Sequence, residues 1–396
     1  MYRGRETMKH RWVKGAFLTA ALALLTVFNC AYAETVPFDS DKWEIRAEES
    51  RVEDFLGRKN TLFIKEGYAM AKDSEFKNGV ISYDIAFDRG LAFVGVMARA
   101  EDHENFERFY MRLHLSGTPD AVQYTPYFNA MTGWQLYADF RGGAKFHFNK
   151  WNRVKILFAD KRAEMYINDM EKPILAVNEL KRPAQAGKVG IFMEMVPFLE
   201  MVPVHISDFS YTETDSPPLK GKYDALKDTP EGTVMSWKIS DVFDERTLEG
   251  KYSLSDADRK KLAWKKLTSE RSGLANLARL HAVETLLETG VKVGKNCVFA
   301  HVSIQSDKDQ VKKMSLGFSD KVRVYFNDQL LFSANDTWRS RGLRFQGLIG
   351  YYDDIYLPLK KGGNELWLAV SEAMPDDGWG VQARFENMDG MKLKEW

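Results

Sequence analysis

The stretch "GVISYDIAF", residues 79 to 87, combines β-branched and aromatic residues in a run that opens with glycine and ends before "DRG". A short run of this kind between turn-forming residues predicts a β-strand. Comparable runs recur along the first half of the chain, at residues 93–100, 106–115, 151–160, 163–169, 187–193 and 206–213. Because no helical period separates them, these runs together predict an antiparallel β-sandwich.

The segment "TDSPPLKGKYDALKDTPEG", residues 214 to 232, interrupts this pattern with three prolines and two glycines. Such a composition is typical of a linker between domains. Strand-like runs resume beyond it, at residues 234–243, 298–306, 313–319, 321–334 and 364–373. A second β-sandwich is therefore predicted after the linker.

Two local signals refine the second half of the chain. "YFNDQLLF", residues 325 to 332, predicts a hairpin with Asn327 and Asp328 at the turn. "SDADRKKLA", residues 255 to 263, begins with a serine cap followed by acidic and then basic residues, which predicts a short helix. Between residues 264 and 290 the pattern leaves helix and strand both open.

The predicted fold class is all-β, with two antiparallel jelly-roll sandwiches joined by the proline- and glycine-containing linker. The short helix belongs near the start of the second sandwich. The predicted boundaries are a signal peptide at residues 1–33, a first sandwich at 34–213, the linker at 214–232 and a second sandwich at 233–396.

The first 33 residues have the organisation of a targeting signal. A basic region through Lys14 precedes the apolar run at residues 16–28, and "AYA" at residues 31–33 fits a small-x-small cleavage site. The apolar run is shorter than the roughly 20 residues of a spanning helix. We therefore expect cleavage after Ala33, export to the periplasm or the cell exterior, and no membrane span in the mature protein.

Cleavage at that site would remove Cys30 and leave Cys297 as the remaining cysteine, so an internal disulfide is not expected. Cys297 lies in the apolar run "NCVFAHV", which favours a buried small hydrophobic residue over a nucleophile.

Basic and acidic residues are balanced at 56 each. The signal segment holds five of the basic residues and one acidic residue, which leaves 51 against 55 and a net charge of −4 in the mature chain. No basic block occurs later, so nucleic acid is not a predicted partner. The seven histidines lack metal-ligand spacing, and no metal or cofactor is predicted. Calcium stays open as a ligand, although no calcium-binding motif supports it.

The first half of the chain resembles the concanavalin A-like jelly rolls of the laminin G and glucanase type. The segments that carry the resemblance are "FKNGVISYDIAF", "FVGVMARAED", "WNRVKILFADKRAEMYIND", "GKVGIF" and "ISDFSYT". The resemblance covers residues 40–213 and is specific for the fold, not for an activity. It implies a sugar-related role, because some neighbours in that superfamily are sugar hydrolases.

The second half is similar to the galactose-binding-like jelly rolls that accompany glycoside hydrolases. This similarity rests on "SLGFSDKVRVYFNDQLLF", "DDIYLPLKKGGNELWLAVSEA" and "GWGVQARF", within residues 295–390. In that family many members bind sugars and others are structural spacers, so the fold alone does not fix the function.

Alternation along the strand at residues 106–115 predicts one apolar face for the core and one polar face for a groove. The polar face takes Arg108, Tyr110, Arg112 and His114, and a hairpin with the preceding strand would place Arg99 near Arg112. The following residues then supply candidate walls for the groove. The complete predicted substrate-binding set is Arg99, Tyr110, Arg112, His114, Gln123, Tyr124, Asn129, Trp134 and Tyr137, with Trp338 and Arg341 on a second loop, "NDTWRSRGLRFQG".

These residue types suit a sugar, because aromatic rings stack on its C–H faces and the polar groups bond its hydroxyls. The leading hypothesis is thus an exported protein that binds carbohydrate, above all polysaccharide. The first alternative is an enzyme acting in the same groove. The glucanase-type E-x-D-x-x-E carboxylates are absent, which disfavours hydrolysis by that route. A polysaccharide lyase would use His114 and Tyr124 as base and acid. The second alternative is a structural protein of the cell envelope that binds an acidic partner.

Overall fold

The stretch "GVISYDIAF" forms a strand with the predicted bounds, Gly79–Phe87. The computed structural model describes residues 33–196, 199–259, 262–284, 294–373 and 377–394. Apart from Ala33, the predicted signal peptide therefore lies outside the described residues. The same is true of residues 285–290, at the end of the stretch whose secondary structure the sequence left open.

Thirteen strands form the first sheet of the described chain, and all seven strands predicted there are present. They are β1 (Glu34–Thr35), β2 (Trp43–Phe55), β3 (Arg58–Ala71), β4 (Gly79–Phe87), β5 (Phe93–Asp102), β6 (Asn105–Arg112), β7 (Val122–Tyr127), β8 (Arg141–Gly142), β9 (Asn152–Ala159), β10 (Arg162–Ile167), β11 (Leu175–Val177), β12 (Lys188–Met193) and β13 (Val204–Glu213). Their order is β11-β10-β9-β4-β13-β3-β12-β5-β6-β7-β8, with β1 on β13 and β2 on β3, and the pairing is antiparallel throughout.

This sheet folds over on itself to form a sandwich. Phe109 on β6 and Phe158 on β9 contact each other edge to face, with ring centroids 5.5 Å apart, although five strands separate β6 from β9 in the sheet order. The same core contains Met111, Ile85 and Phe76, which are inaccessible to solvent. Burial of this apolar face is the main source of stability for the first sandwich.

The remaining strands form two further sheets. The elements are β14 (Ser236–Ser240), α1 (Asp256–Arg259), β15 (Trp264–Thr268), β16 (Ala275–Asn276), β17 (Cys297–Ser306), β18 (Gln310–Ser319), β19 (Lys321–Phe326), β20 (Gln329–Asn335), β21 (Asp353–Leu359), β22 (Gly362–Ser371), β23 (Gly380–Phe385) and β24 (Met391–Leu393). One sheet has the order β15-β14-β17-β22-β19-β20 with β24 on β17, and the other has the order β16-β23-β18-β21. Side chains from both sheets share one core, which confirms a second sandwich and an all-β fold.

Both local predictions in the second half are confirmed. α1 is the short helix. β19 and β20 form the hairpin, with Phe326 opposite Gln329. Asn327 and Asp328 at its turn have φ values of +46° and +70°, as a two-residue type I′ turn requires. In the stretch left open, the described residues include the two strands β15 and β16 and a 3₁₀ turn at Leu277–Arg279.

The predicted linker carries no strand and lies against the first sandwich. The Lys220 and Gly221 amides and the Tyr223 hydroxyl all donate hydrogen bonds to the buried carboxylate of Glu164 on β10. The exact boundaries of the two predicted domains stay a prediction. No helix in the described part of the chain is long and apolar enough to span a membrane.

A second connection between the sandwiches is the segment between β7 and β8. This segment leaves the first sandwich and packs into the core of the second, where Phe128 and Met131 are buried. The Asn129 amide donates to the Ala278 carbonyl, and the Gln135 amide oxygen accepts from the Ser319 hydroxyl at 2.8 Å. We name residues 128–137 the junction segment.

Candidate functional site

The polar face of β6 is buried, so the expected open groove is wrong. Only 1% of Arg108, 2% of Tyr110 and 5% of Arg112 is exposed to solvent. The alternation of faces along β6 is as predicted, with Phe109 and Met111 in the core. What the alternation could not reveal is that the opposite face is covered as well.

The side chains on this face bond to one another and to the junction segment. The Arg112 guanidinium donates to the Asp120 carbonyl at 2.9 Å, to the Tyr110 hydroxyl at 2.7 Å and to the Gln123 amide oxygen. The Gln123 amide nitrogen in turn donates to the Trp134 and Tyr137 carbonyls at 3.0 and 2.9 Å. These groups therefore fix the path of the junction segment.

Replacing Arg112 with alanine should destabilise the fold. The change removes the Arg112 donor from the Asp120 carbonyl, whereas the Gln123 amide oxygen keeps its hydrogen bond from the Tyr110 hydroxyl. Since an unsatisfied buried group costs about 1–3 kcal/mol, we expect a loss of about 2 kcal/mol in the free energy of unfolding, measured by urea denaturation. A loss below about 1 kcal/mol would show that the network has no structural role.

Arg99 does not lie near Arg112, and the predicted proximity is wrong. β5 pairs with β6 so that Phe93 is opposite Arg112, and the register shifts between Ala98 and Asp102. Arg99 falls within this irregularity with φ +50°. The shift turns the Arg99 side chain away from the polar face of β6. The Arg99 guanidinium instead donates hydrogen bonds to the Lys77 and Asp160 carbonyls, at 2.6 and 2.8 Å.

The acid–base pair that a lyase would need is not assembled. Tyr124 lies in the core, and its hydroxyl donates to the Glu107 carboxylate at 2.6 Å. Burial and the Glu107 charge raise the pKa of Tyr124 well above its ordinary value. His114 lies on a 3₁₀ turn that ends the strand, edge to face with Phe93, and its side chain reaches solvent. Partial desolvation of its ring and the charge of Arg112 lower its pKa.

Three of the predicted wall residues lie at the boundary with the second sandwich. Asn129 donates across this boundary to the Ala278 carbonyl, as described above. The Trp134 indole N–H donates to the Asp377 carboxylate at 3.0 Å. The Tyr137 hydroxyl donates to the Glu270 carboxylate at 2.6 Å and accepts from the Asn276 amide. Of the predicted residues, Tyr137 lines an open cavity.

This cavity, which we name the junction cavity, has a volume of about 760 Å³. Four segments wall it: the junction segment with the 3₁₀ turn after it, the loop that follows β11, the predicted linker, and the second sandwich. The side chains that carry its chemistry are Tyr137, Phe140, Glu179, Lys181, Tyr223, Glu270, Arg271 and Gln382. The cavity is thus shared by both sandwiches.

An ion-pair network crosses one wall of the cavity. The Lys181 ammonium lies 2.8 Å from a carboxylate oxygen of Glu179 and 2.8 Å from one of Glu270. Glu179 belongs to the first sandwich and Glu270 to the second, so Lys181 bridges them electrostatically. The charges of the two carboxylates raise the pKa of Lys181 although its burial opposes them.

Two aromatic rings line the same cavity. Phe140 is half-buried, and the Lys181 ammonium lies 5.5 Å from its ring centroid. Tyr223 on the predicted linker is fixed by its hydrogen bond to Glu164 at 2.6 Å. The rings offer apolar surface beside charged hydrogen-bonding groups, which is the composition of a site for a polar ligand with apolar faces.

The two candidate residues on the loop predicted as a second ligand site differ in how accessible they are to a ligand. Trp338 is 53% exposed and stacks on the Arg339 guanidinium at 4.0 Å. Arg341 is instead held by Asp336 and by Asp353, whose carboxylate lies 2.5 Å away. Trp338 is therefore accessible to a ligand, whereas Arg341 is occupied by two carboxylates.

Asp336 gives the fold a pH dependence that can be measured. It is 1% exposed, and its burial raises its pKa from 3.8 to about 6 even though Arg341 opposes this. The folded chain binds the proton more tightly than the unfolded chain, so this group's contribution to stability falls as pH rises from about 4 to 6. A shift of about two pKa units corresponds to about 3 kcal/mol.

The measurement is urea denaturation of the protein and of Asp336→Asn at pH 4.5 and 7.5. Since the asparagine cannot titrate, we expect the protein to lose stability relative to the variant at the higher pH. A difference between the two that stays constant with pH would contradict this assignment.

Cys297 is fully buried, as predicted, and its burial raises its pKa to about 12. In the described part of the chain, no three metal-ligating side chains are grouped as a metal site would require.

No protein-family model and no curated protein sequence matches this chain. Several solved structures are similar to it. The carbohydrate-binding module CBM66 from Bacillus subtilis is 11% identical over 43% of this chain and 94% of that one, with a TM-score of 0.32. The β-glucanase of Bacillus licheniformis is 8% identical over 46% and 98%, with a TM-score of 0.34. A Bacillus subtilis protein of unknown function with a galectin-like fold is 13% identical over 46% and 98%, with a TM-score of 0.31. At these identities and scores, the similarities do not establish a function for this chain.

Proposed function

We propose that this protein is an exported carbohydrate-binding protein and that its binding site is the junction cavity. The observation that carries the proposal is the cavity itself, which has about 760 Å³ of open volume between two sandwiches and is lined by aromatic rings and charged groups. Small-molecule sites in proteins commonly have volumes of about 300–1,000 Å³. Export rests on the organisation of residues 1–33.

The side chains in the cavity match the surface of a sugar. Phe140 and Tyr223 supply ring faces for stacking, while Lys181, Glu270 and Gln382 supply donors and acceptors for hydroxyl groups. The cavity opens along an exposed stretch of the predicted linker, residues 224–228. An open side suits part of a polymer better than a free monosaccharide. The second sandwich contributes Glu270 and Gln382 to the site. A sugar-binding role for this sandwich agrees with its sequence similarity to galactose-binding-like domains.

Hydrolysis is the second candidate function, and one observation favours it. Glu179 and Glu270 both contact the Lys181 ammonium, so their carboxylates are close enough to flank a glycosidic bond. A hydrolase, however, needs one of its two carboxyl groups to carry a proton, and here both accept hydrogen bonds from the same cation. Binding without cleavage is therefore the better-supported function.

The test is a glycan array probed with the protein, with Tyr223→Ala and with Tyr252→Ala. Tyr252 is a matched control because it is 75% exposed and lies outside the junction cavity. Loss of one stacking ring should weaken binding about tenfold in Tyr223→Ala and leave Tyr252→Ala unchanged. Hits are also incubated with protein and checked for new reducing ends, whose appearance would favour the hydrolase. The absence of any hit would refute the proposed function.

A further inference from the structure

One wall of the junction cavity continues onto the outer face of the four-stranded sheet. Gln382 on β23 lines the cavity, and Arg384 lies two residues further along the same strand, on the same face. The neighbouring strand β18 places Gly317 opposite Gln382 and Ser315 opposite Arg384. Because Gly317 has no side chain, the Gly350 backbone packs over the sheet beside Gln382, which brings the segment that carries Tyr351 next to Gln382 and Arg384.

Arg384 has no counter-ion among the residues that the structure describes. Its guanidinium lies 4.7 Å from the ring centroid of Tyr351. Among the described residues it has neither an ion-pair partner nor a side-chain hydrogen-bond partner. By contrast, Arg341, on the loop predicted as a second ligand site, is bound by two carboxylates. An unpaired guanidinium beside a cavity is ready to accept an anionic group.

Tyr351 adds a second unused group at the same place. Its hydroxyl oxygen is buried and has no hydrogen-bond partner in the described part of the structure. A Cβ atom added to Gly273 would lie 2.9 Å from this hydroxyl, so the hydroxyl lies beside the cavity wall formed by Ser272 and Leu274. Burial raises the pKa of Tyr351, so the hydroxyl keeps its proton and can donate. Buried polar groups without a partner are uncommon and call for a ligand or water.

We propose that Arg384, Tyr351 and Gln382 form a subsite for the carboxylate of an acidic sugar. This inference rests on the proposed function, since it selects among the carbohydrates that the junction cavity binds. The planar guanidinium binds a carboxylate through two parallel hydrogen bonds, and the Tyr351 hydroxyl and the Gln382 amide supply further donors. The ligand class is a uronic-acid-containing glycan.

The experiment compares uronic-acid oligosaccharides with their carboxyl-reduced counterparts, which carry a hydroxymethyl group in place of the carboxylate. Both forms of several backbones are presented on one array and titrated with the full protein, with Arg384→Gln and with Tyr351→Phe. Arg89→Gln is the control, because the Arg89 guanidinium also lies over an aromatic ring, that of Phe148 at 4.3 Å, but Arg89 does not line the junction cavity.

We expect the acidic forms to bind about tenfold more tightly than the reduced forms. Arg384→Gln should abolish this preference, Tyr351→Phe should diminish it, and Arg89→Gln should leave it intact. Equal binding of the two forms would overturn the subsite while leaving the proposed function in place. A preference that survives in Arg384→Gln would also overturn it. Binding of neither form on any backbone would instead count against the proposed function.

Discussion

Replacing Met131 with aspartate should unfold the second sandwich, although Met131 belongs to the sequence of the first. The side chain is 3% exposed and packs in the same core as Trp237 and Phe318. The substitution removes a buried apolar side chain, which costs about 2–5 kcal/mol. It also places a carboxylate in an apolar environment without a partner.

A total loss of about 5 kcal/mol is comparable to the whole stability of an ordinary domain. We therefore expect the variant to be unfolded or aggregated when followed by near-ultraviolet circular dichroism and urea denaturation. Met195→Asp is the matched control, because Met195 is 60% exposed and the same change there should be nearly neutral. A Met131→Asp protein as stable as the control would show that the junction segment does not belong to the second core.

Replacing Lys181 with methionine should destabilise the boundary between the sandwiches. The methionine keeps most of the apolar stem, so the main effect is loss of the ammonium that Glu179 and Glu270 share. Only 10% of the Lys181 side chain and 11% of the Glu270 side chain is exposed. Removing one partner of such a pair leaves an uncompensated buried charge and costs about 3 kcal/mol.

A double variant separates this charge effect from lost packing. Adding Glu270→Gln to Lys181→Met removes the negative charge that the Glu270 carboxylate would carry without its lysine partner. The glutamine still provides an acceptor for the Tyr137 hydroxyl. We expect urea denaturation to show that the second change restores about 1 kcal/mol or more of the stability lost. If the two changes were simply additive in destabilising the protein, the electrostatic bridge would carry no stability.

The strands were predictable because their signal is local. Runs such as residues 79–87 and the turn at Asn327 and Asp328 are specified by the conformational preferences of a few adjacent residues. The structure places these elements at the expected positions. The switch of face at Arg99 was not predictable, because a β-bulge leaves no mark in the alternation of residue types.

The candidate site was less predictable, because its residues are brought together from distant parts of the chain. The alternation in β6 identified the polar face, but its burial depends on the junction segment that covers it. Lys181, Tyr223 and Glu270 meet only where the two sandwiches and the linker pack together. The sequence analysis did predict one residue of the cavity, Tyr137, and a signal for a second was Tyr223, a tyrosine within an otherwise polar linker.

The most direct test of the junction cavity as a glycan site is protection of a thiol placed inside it. Ala225 is exposed and lines the cavity, so Ala225→Cys in a Cys30→Ser background provides one reactive thiol while Cys297 stays buried. The alkylation rate is measured with and without the best glycan from the array. At a glycan concentration ten times the Kd, we expect the alkylation rate of Ala225→Cys to be about tenfold lower. A control thiol at the exposed Ser253, outside the cavity, should react at an unchanged rate. Equal rates at Ala225→Cys with and without saturating glycan would show that the junction cavity is not the glycan site.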